Sequence, residues 1–156
     1  MLGRTYESQN CSVARTLEVV GERWTLLILR DAFLGVRRFA DFAERLGIAR
    51  NVLQDRLSRL VNEGLLERVP YQDRPLRHEY RLTERGLDLW PVLVALMQYG
   101  DRHFPADGGP PMVIRHRGCG GALDGHRLCE RCGARLGPRD VEAVPGPGGA
   151  ALPSAA

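Results

Sequence analysis

The chain has 156 residues and contains no lysine, so all 22 of its basic residues are arginine. It has no run of about 18 uncharged apolar residues, which is the length that a membrane-spanning helix requires. Its first residues, MLGRTYESQN, also lack the apolar core of a secretory signal peptide. From these absences we expect a cytoplasmic protein without a transmembrane segment.

The sequence also lacks the short motifs of common catalytic sites. It has no glycine-rich phosphate loop, no HExxH metalloprotease motif and no GxSxG nucleophile motif. We therefore expect that the protein is not an enzyme. The net charge of +3 permits binding to nucleic acid but does not require it. The planar guanidinium of arginine suits phosphates and the edges of guanine bases.

Composition divides the chain into four segments. Residues 1–104 carry steady apolar periodicity and are predicted to form the main domain. Residues 105–112, rich in proline and glycine, are predicted to be a linker, and residues 113–140 hold a cluster of cysteine and histidine. Residues 141–156 are low in complexity, and we expect them to be a disordered tail.

The main domain has a characteristic order of elements. Two helices, the second strongly apolar and ending at Gly35, are followed by a short helix, a turn at Gly47 and a helix over 49–62. A two-stranded hairpin with its tip near Arg74 comes next, and then a last helix that is kinked or broken at Pro91. The predicted fold class is mainly α with a small β-hairpin wing (a winged helix-turn-helix), plus a small zinc-ribbon-like C-terminal tail.

The helix over 49–62 is the predicted reading helix for DNA. Leu53, Leu57 and Leu60 share one face, which leaves polar side chains able to pair with base edges on the other. Any amphipathic surface helix has a polar face, but arginines before this helix and in the wing match the outline of a DNA backbone. Arg56 could instead pair with an acidic neighbour. The predicted DNA-binding residues are Arg37, Arg38, Arg50, Asn51, Gln54, Asp55, Arg56, Ser58, Arg59, Arg74, Arg77 and His78.

Two stretches carry a resemblance to a known family. They are CSVARTLEVVGERWTLLILRDAFLGVRRFADF and LGIARNVLQDRLSRLVNEGLLERVPYQDRPLRHEYRLTERG. Together they resemble the HxlR family of bacterial winged-helix regulators. The resemblance implies a homodimer that is built by the first and last helices, binds a palindromic operator in double-stranded DNA, and acts as a repressor or activator.

Two details bear on that resemblance. The last predicted helix carries many apolar side chains, and this fits a dimer because one small domain could hardly bury all of them. They are Trp90, Leu93, Val94, Leu96 and Met97. Family members often have serine or threonine where this chain has Ala49. Alanine cannot cap a helix, which costs on the order of 1 kcal/mol, so the first turn of the reading helix is expected to be looser.

Cys11 lies just before the first predicted helix. Some HxlR-like regulators use a cysteine there to sense oxidants or electrophiles. A helix N-terminus favours the reactive thiolate, and Arg15 one turn later would add to that effect. The alternative is a buried structural thiol at a dimer interface, since free cysteine is among the most buried residue types.

The tail contains two similar half-motifs. His116-x2-Cys119-Gly120 and Cys129-x2-Cys132-Gly133 could together supply four tetrahedral ligands to a structural zinc ion. His126 is an alternative fourth ligand. The other interpretation is a tail that binds no metal.

Two further interpretations stay open. The domain could be a winged-helix protein-interaction module without sequence-specific DNA binding. A small-molecule effector could also bind between the dimer helices, although the aromatic residues concerned could equally be simple core and interface. Those residues are Trp24, Phe33, Phe39, Trp90, Met97 and Tyr99.

Overall fold

The computed structural model describes Tyr6, residues 10–105 and residues 107–149. These residues divide into two compact units, of which the first ends at Asp88 and the second begins at Leu89. Among the described residues, no helix is both long and apolar enough to cross a membrane.

The first unit has the predicted order of elements. The two strands pair antiparallel and are joined by Arg74 and Pro75, so the hairpin tip lies where the sequence indicated. Gly47 ends the third helix in the left-handed conformation, which glycine adopts without strain. The elements are α1 (Ser12–Val20), α2 (Thr25–Phe33), α3 (Phe39–Leu46), α4 (Arg50–Asn62), β1 (Leu66–Asp73), β2 (Leu76–Leu82) and α5 (Glu84–Leu87).

The core of this unit forms around α2, as its apolar sequence predicted. Ile28 and Leu29 are fully buried, together with Phe42 from α3. Asp31 is the charged residue among them, because its carboxylate is also fully buried. Arg30 donates from Nε to Asp31 Oδ1 at 3.0 Å, and Arg45 Nε lies 3.5 Å from Oδ2. The buried charge is therefore paired, and the pairing ties α2 to α3.

Thr83 and Gly86 are the first and last residues of the sequence TERG, a T-x-x-G motif at the start of α5. The Thr83 hydroxyl accepts a hydrogen bond from the Gly86 N–H at 3.1 Å, which caps α5. The same hydroxyl donates to the carbonyl of Gly64 at 2.6 Å. A Cβ on Gly86 would lie 2.1 Å from the carbonyl oxygen of Leu65, so only glycine fits. The motif therefore fastens α5 to the chain that leads into β1.

The second unit contains α6 (Trp90–His103), β3 (Met112–His116) and β4 (Val141–Pro145). Pro91 lies in the first turn of α6, so the predicted last helix is two helices, with the break that the proline allowed. The sequence assigned this helix to the domain over 1–104, whereas the structure places it in the unit that contains the tail. Gln98 of α6 donates from Nε2 to the carbonyl of Asp124 at 2.9 Å, which is one physical reason.

The prediction that residues 141–156 are disordered is wrong for their first part. β4 pairs antiparallel with β3 over all five residues of each strand, from Met112 with Pro145 to His116 with Val141. Beyond the strands, the Gly146 N–H donates to the carbonyl of Pro111 at 2.9 Å, so the end of the predicted linker is part of this pairing. Glycine allows the two backbones to approach closely there. Residues 150–156 lie outside the described residues.

We predict that Gly86→Ala destabilises the protein by about 1–3 kcal/mol, because the new methyl group would overlap the backbone at Leu65. Gly100→Ala is the matched control. No heavy atom lies within 4 Å of its added Cβ, so its stability should stay equal or rise by roughly 0.5–1 kcal/mol. Thermal unfolding followed by circular dichroism measures both. Equal melting temperatures for the two variants would contradict the packing argument.

Candidate nucleic-acid interface and metal centre

The faces of α4 are those that its periodicity predicted. Leu53, Leu57 and Leu60 are at most 1% exposed and pack into the core. The opposite face is exposed, and its Gln54 donates from Nε2 to Ser58 Oγ at 3.0 Å. Ala49 makes no capping hydrogen bond, as expected, and the helix forms without one. The exposed polar residues are Asn51, Gln54, Asp55, Ser58 and Asn62.

Two of the predicted arginines lie over aromatic rings. The guanidinium of Arg50, in the first turn of α4, is 4.9 Å from the centre of the Phe39 ring. The guanidinium of Arg38, just before α3, is 4.7 Å from the centre of the Tyr71 ring. Both arginines are exposed. Stacking limits the conformations of these side chains while leaving their N–H groups free for an anionic partner.

The wing adds further basic groups. Arg74 and Arg77 are exposed at and beside the hairpin tip. His78 is half-buried, and its Nδ1 lies 3.2 Å from Nη2 of Arg68. Arg37 is exposed but lies 3.9 Å from the carboxylate of Glu79. Arg74 and Arg77 are therefore exposed, while His78 and Arg37 already have partners within the protein.

Arg56 and Arg59 face α1 instead of the exposed side of α4. Arg56 donates to Glu22 Oε2 at 3.1 Å and to Asp55 Oδ2 at 2.8 Å, and only 20% of its side chain is exposed. Arg59 donates from Nη2 to the backbone carbonyl of Glu18. In the structure Arg56 thus pairs with acidic neighbours, which is one of the two possibilities that the sequence left open. The projection of α4 from its sequence had instead placed Arg59 beside the face that is predicted to bind DNA.

The four predicted metal ligands come together in the second unit. The ligand atoms of His116, Cys119, Cys129 and Cys132 all lie within 4.8 Å of one another. Cys119 Sγ is 3.4 Å from Cys129 Sγ, and His116 Nδ1 is 3.3 Å from Cys119 Sγ and 3.4 Å from Cys132 Sγ. A tetrahedral zinc ion with bonds near 2.3 Å requires ligand separations of about 3.8 Å. This cluster could hold a metal ion.

The two halves of the cluster repeat one another at an offset of 13 residues. The Gly120 N–H donates to the carbonyl of His116 at 2.8 Å, and the Gly133 N–H donates to that of Cys129 at the same distance. Both glycines are left-handed, with φ of 72° and 73°. The bridge between Arg115 and Ala122 recurs as the bridge between Leu128 and Arg135. The centre is therefore two equivalent knuckles, with His116 standing where the second knuckle has Cys129.

The cysteines of the cluster have perturbed acidity. The backbone N–H of Cys132 lowers the pKa of Cys129 to about 6, although burial opposes that shift. At Cys119 the N–H of Gly121 lowers the pKa, but the hydrogen bond to Cys129 and burial outweigh it and raise the pKa overall. The thiol of Cys129 therefore ionises more readily than that of Cys119.

His126 does not belong to the cluster. It is exposed in a turn, where its N–H donates to Asp124 Oδ1 at 2.8 Å. The alternative of His126 as the fourth ligand is therefore wrong for this structure. Gly121 is an addition that the sequence did not single out, since a Cβ there would lie 2.5 Å from the sulfur of Cys129. In the sequence, the second of the two consecutive glycines after Cys119 is the feature that could have pointed to it.

The family model for the HxlR-like helix-turn-helix matches residues 19–107, which is more than half of the chain. The chain belongs to the HxlR-like family. A Mycobacterium tuberculosis protein named as an HTH-type transcriptional regulator, Rv3095, is 55% identical over 137 residues, or 88% of this chain and 87% of that protein. This HxlR-like chain is thus a transcriptional regulator with a DNA-binding helix-turn-helix, and the fold is a winged helix.

Solved structures resemble the HxlR-like chain over different extents. The crystal structure of PA1607, a candidate transcription factor, is 37% identical, has a TM-score of 0.70, and covers 86% of this chain and 94% of its own. The redox regulator HypR in its oxidised form is 28% identical, with a TM-score of 0.54, and covers 60% of this chain and 97% of its own. The first likeness therefore extends well beyond the winged helix.

Cys11 is exposed at the N-cap of α1 in this HxlR-like chain. The alternative of a thiol buried at a dimer interface stays a prediction, because this exposure is that of a single chain. The guanidinium of Arg15 donates to Ser12 Oγ at 3.0 Å and to Asn10 Oδ1 at 3.3 Å.

Both terminal helices of the HxlR-like chain expose apolar side chains. On α6 these are Val92, Leu96 and Tyr99, spaced at i, i+4 and i+7, and on α1 they are Val13 and Leu17. The sequence indicated the apolar load of α6 but not which part of it is exposed. Trp90 and Val94 are buried, whereas Leu96 is 49% exposed. The effector pocket predicted from Trp24, Phe33, Phe39, Trp90, Met97 and Tyr99 stays a prediction.

Proposed function

We propose that this regulator acts as a homodimeric repressor that binds a two-fold symmetric site in double-stranded DNA. The observation that carries the proposal is the exposed polar face of α4, bordered by exposed arginines before α3 and at the wing tip. Reading helices of this type enter the major groove, while the wing and the preceding helix contact phosphates. A repressor of this kind acts in the cytoplasm, where bacterial DNA lies.

Within this proposal the predicted DNA-binding residues take different roles. Arg50, Asn51 and Gln54 lie in the first turns of α4, where base edges are met, and the amides and the guanidinium match adenine and guanine. Arg38, Arg74 and Arg77 would contact phosphates, with Arg37 beside them after release from Glu79. Asp55 and Ser58 border the same face and would shape specificity. His78 would lie at the edge of the footprint.

The dimer is proposed from the exposed apolar side chains of α1 and α6. Val92, Leu96 and Tyr99 form one stripe on α6, and Tyr99 also packs against His103 with ring centres 4.5 Å apart. Exposed stripes of this kind on a small protein mark an interaction surface. A second copy of this chain is the occupant that a two-fold operator requires.

We predict that Arg38→Ala and Arg74→Ala each weaken binding to the DNA upstream of the protein's own gene. Each variant should also reduce the slope of log affinity against log salt by about 0.9, because one phosphate contact releases about that many counterions. Fluorescence anisotropy at several salt concentrations measures both quantities.

Arg85→Ala is the control for this measurement, because Arg85 is an exposed arginine on α5, away from the proposed footprint. Its salt slope should equal that of the wild type. Footprinting of the same fragment should show two protected half-sites separated by about 34 Å, one helical turn. A single protected half-site would count against the dimer, and wild-type slopes in both arginine variants would count against the interface.

We also propose that the His116 and cysteine cluster holds a structural zinc ion. Three sulfurs and one imidazole nitrogen form a complete tetrahedral set that suits zinc, and no ligand position is left for a reacting water. The lowered pKa of Cys129 favours the thiolate that zinc binds. Few apolar side chains are buried in this part of the chain, so a bound ion would supply much of its folding energy.

We predict that protein purified without chelator contains close to one zinc per chain by plasma mass spectrometry. His116→Cys should retain the zinc, because the second knuckle has cysteine at the equivalent position, whereas Cys129→Ser should lose it. His126→Ala is the matched control and should keep full occupancy. Less than about 0.3 zinc per chain in the wild type, or absorption bands of an iron–sulfur centre, would contradict the assignment.

A response to oxidants is a second candidate function, favoured by the exposed thiol of Cys11 and by the likeness to a redox regulator. We predict that diamide, a thiol oxidant, lowers DNA affinity of the wild type and leaves that of Cys11→Ser unchanged. Gel-shift titrations before and after treatment measure this effect. Equal loss of binding in both proteins would assign the response to the other cysteines and remove this function from Cys11.

A further inference from the structure

We propose that Arg56 and Arg59 are positioning residues that fasten the reading helix to the C-terminal end of α1, and that neither contacts DNA. The two side chains are three residues apart on α4, so they project from the same side of the helix. Both bind chain that belongs to one short stretch, from Glu18 in the last turns of α1 to Glu22 just beyond it. We call this set of contacts the α1–α4 clamp.

A nearby positive charge would stabilise the C-terminal end of α1. The last four carbonyl groups of a helix have no partner within it, and the helix dipole concentrates negative charge there. α1 has no basic residue in its last turn. The carbonyl of Leu17 is satisfied by the Gly21 N–H at 2.7 Å, and that of Glu18 accepts from the guanidinium of Arg59. Arg59 therefore caps α1 from a different helix.

Arg56 is too constrained to act as a free phosphate contact. Its guanidinium bridges Glu22 and Asp55, and its Nε is buried without a hydrogen-bond partner among the described residues. Movement toward a phosphate would break both ion pairs and withdraw the side chain from its packing. By contrast, Arg50 and Arg74 are exposed and have no carboxylate partner among the ion pairs described. The clamp thus separates arginines that orient α4 from arginines that meet DNA.

The clamp predicts an effect of Glu22 on DNA affinity that is opposite to the effect expected from its charge alone. If Glu22 acted only through its charge, its removal would reduce repulsion of DNA and raise the affinity. In the clamp, Glu22 holds Arg56 and through it the orientation of α4, so its removal should lower the affinity. The direction of the change therefore distinguishes positioning from simple electrostatics.

The test is DNA affinity and its salt slope in Glu22→Gln, with Glu44→Gln as a control of equal charge change on the exposed side of α3. We expect Glu22→Gln to weaken binding roughly two- to fivefold, the range of a partly exposed ion pair, with an unchanged salt slope. Glu44→Gln should leave the affinity equal or slightly higher. Arg56→Gln should weaken binding without the decrease in slope of about 0.9 that Arg38→Ala produces.

The double variant completes the cycle. Glu22→Gln combined with Arg56→Gln should bind DNA as Arg56→Gln alone does, because both changes break the same contact. Higher or unchanged affinity in Glu22→Gln, or a lower salt slope in Arg56→Gln, would overturn the proposal and assign Arg56 to the phosphate contacts. Melting temperatures show whether each variant is folded. Because Glu22 is exposed, Glu22→Gln is expected to fold, and it still tests the proposal if Arg56→Gln does not fold.

Discussion

The burial of one face of α4 is the constraint on which the interface with DNA depends. Leu53, Leu57 and Leu60 are removed almost completely from water, and each contributes about 1.5–3 kcal/mol by that burial. Rotation of the helix by even a quarter turn would expose them, so the polar face has a single orientation. The stacked arginines before α3 and at the start of α4, and those of the wing, are useful only because this orientation is fixed.

Neighbours, and not residue type, decide what each arginine does in a protein that has no lysine. A guanidinium keeps its charge in every environment, so its role follows from the acceptors within reach. Arg45 neutralises the buried Asp31, and Arg59 caps α1. Arg50 lies over an aromatic ring and stays available to an anion. The net charge of the chain therefore does not show which arginines are paired within the protein and which are available to bind an anion.

Periodicity predicted the order of elements and the leucine row, and motif spacing predicted the cluster of His116 with three cysteines, because these depend on local spacing. Projection of α4 failed for Arg59, since a long side chain is directed by whichever helix packs beside it, and that is tertiary information. The strand Val141–Pro145 was missed for a related reason. Its glycine- and proline-rich surroundings are typical of disorder, and its stability comes from pairing with β3, distant in sequence. Likewise, periodicity marked α6 as apolar without telling which of its residues are exposed.

The cluster of His116 and three cysteines is one part of a folded unit that also contains α6. The repeat of 13 residues gives each knuckle the same turn, but neither knuckle alone supplies more than two ligands. Backbone hydrogen bonds join the two halves, among them the one from the Glu130 N–H to the carbonyl of Ala122 at 2.9 Å, and a shared metal ion would hold the four ligands together. Gln98 binds the backbone at Asp124, between the knuckles, so an ordered tail also restrains the helix that exposes the apolar stripe. Loss of the ligand set would therefore loosen α6 as well as the tail, because both belong to the same unit.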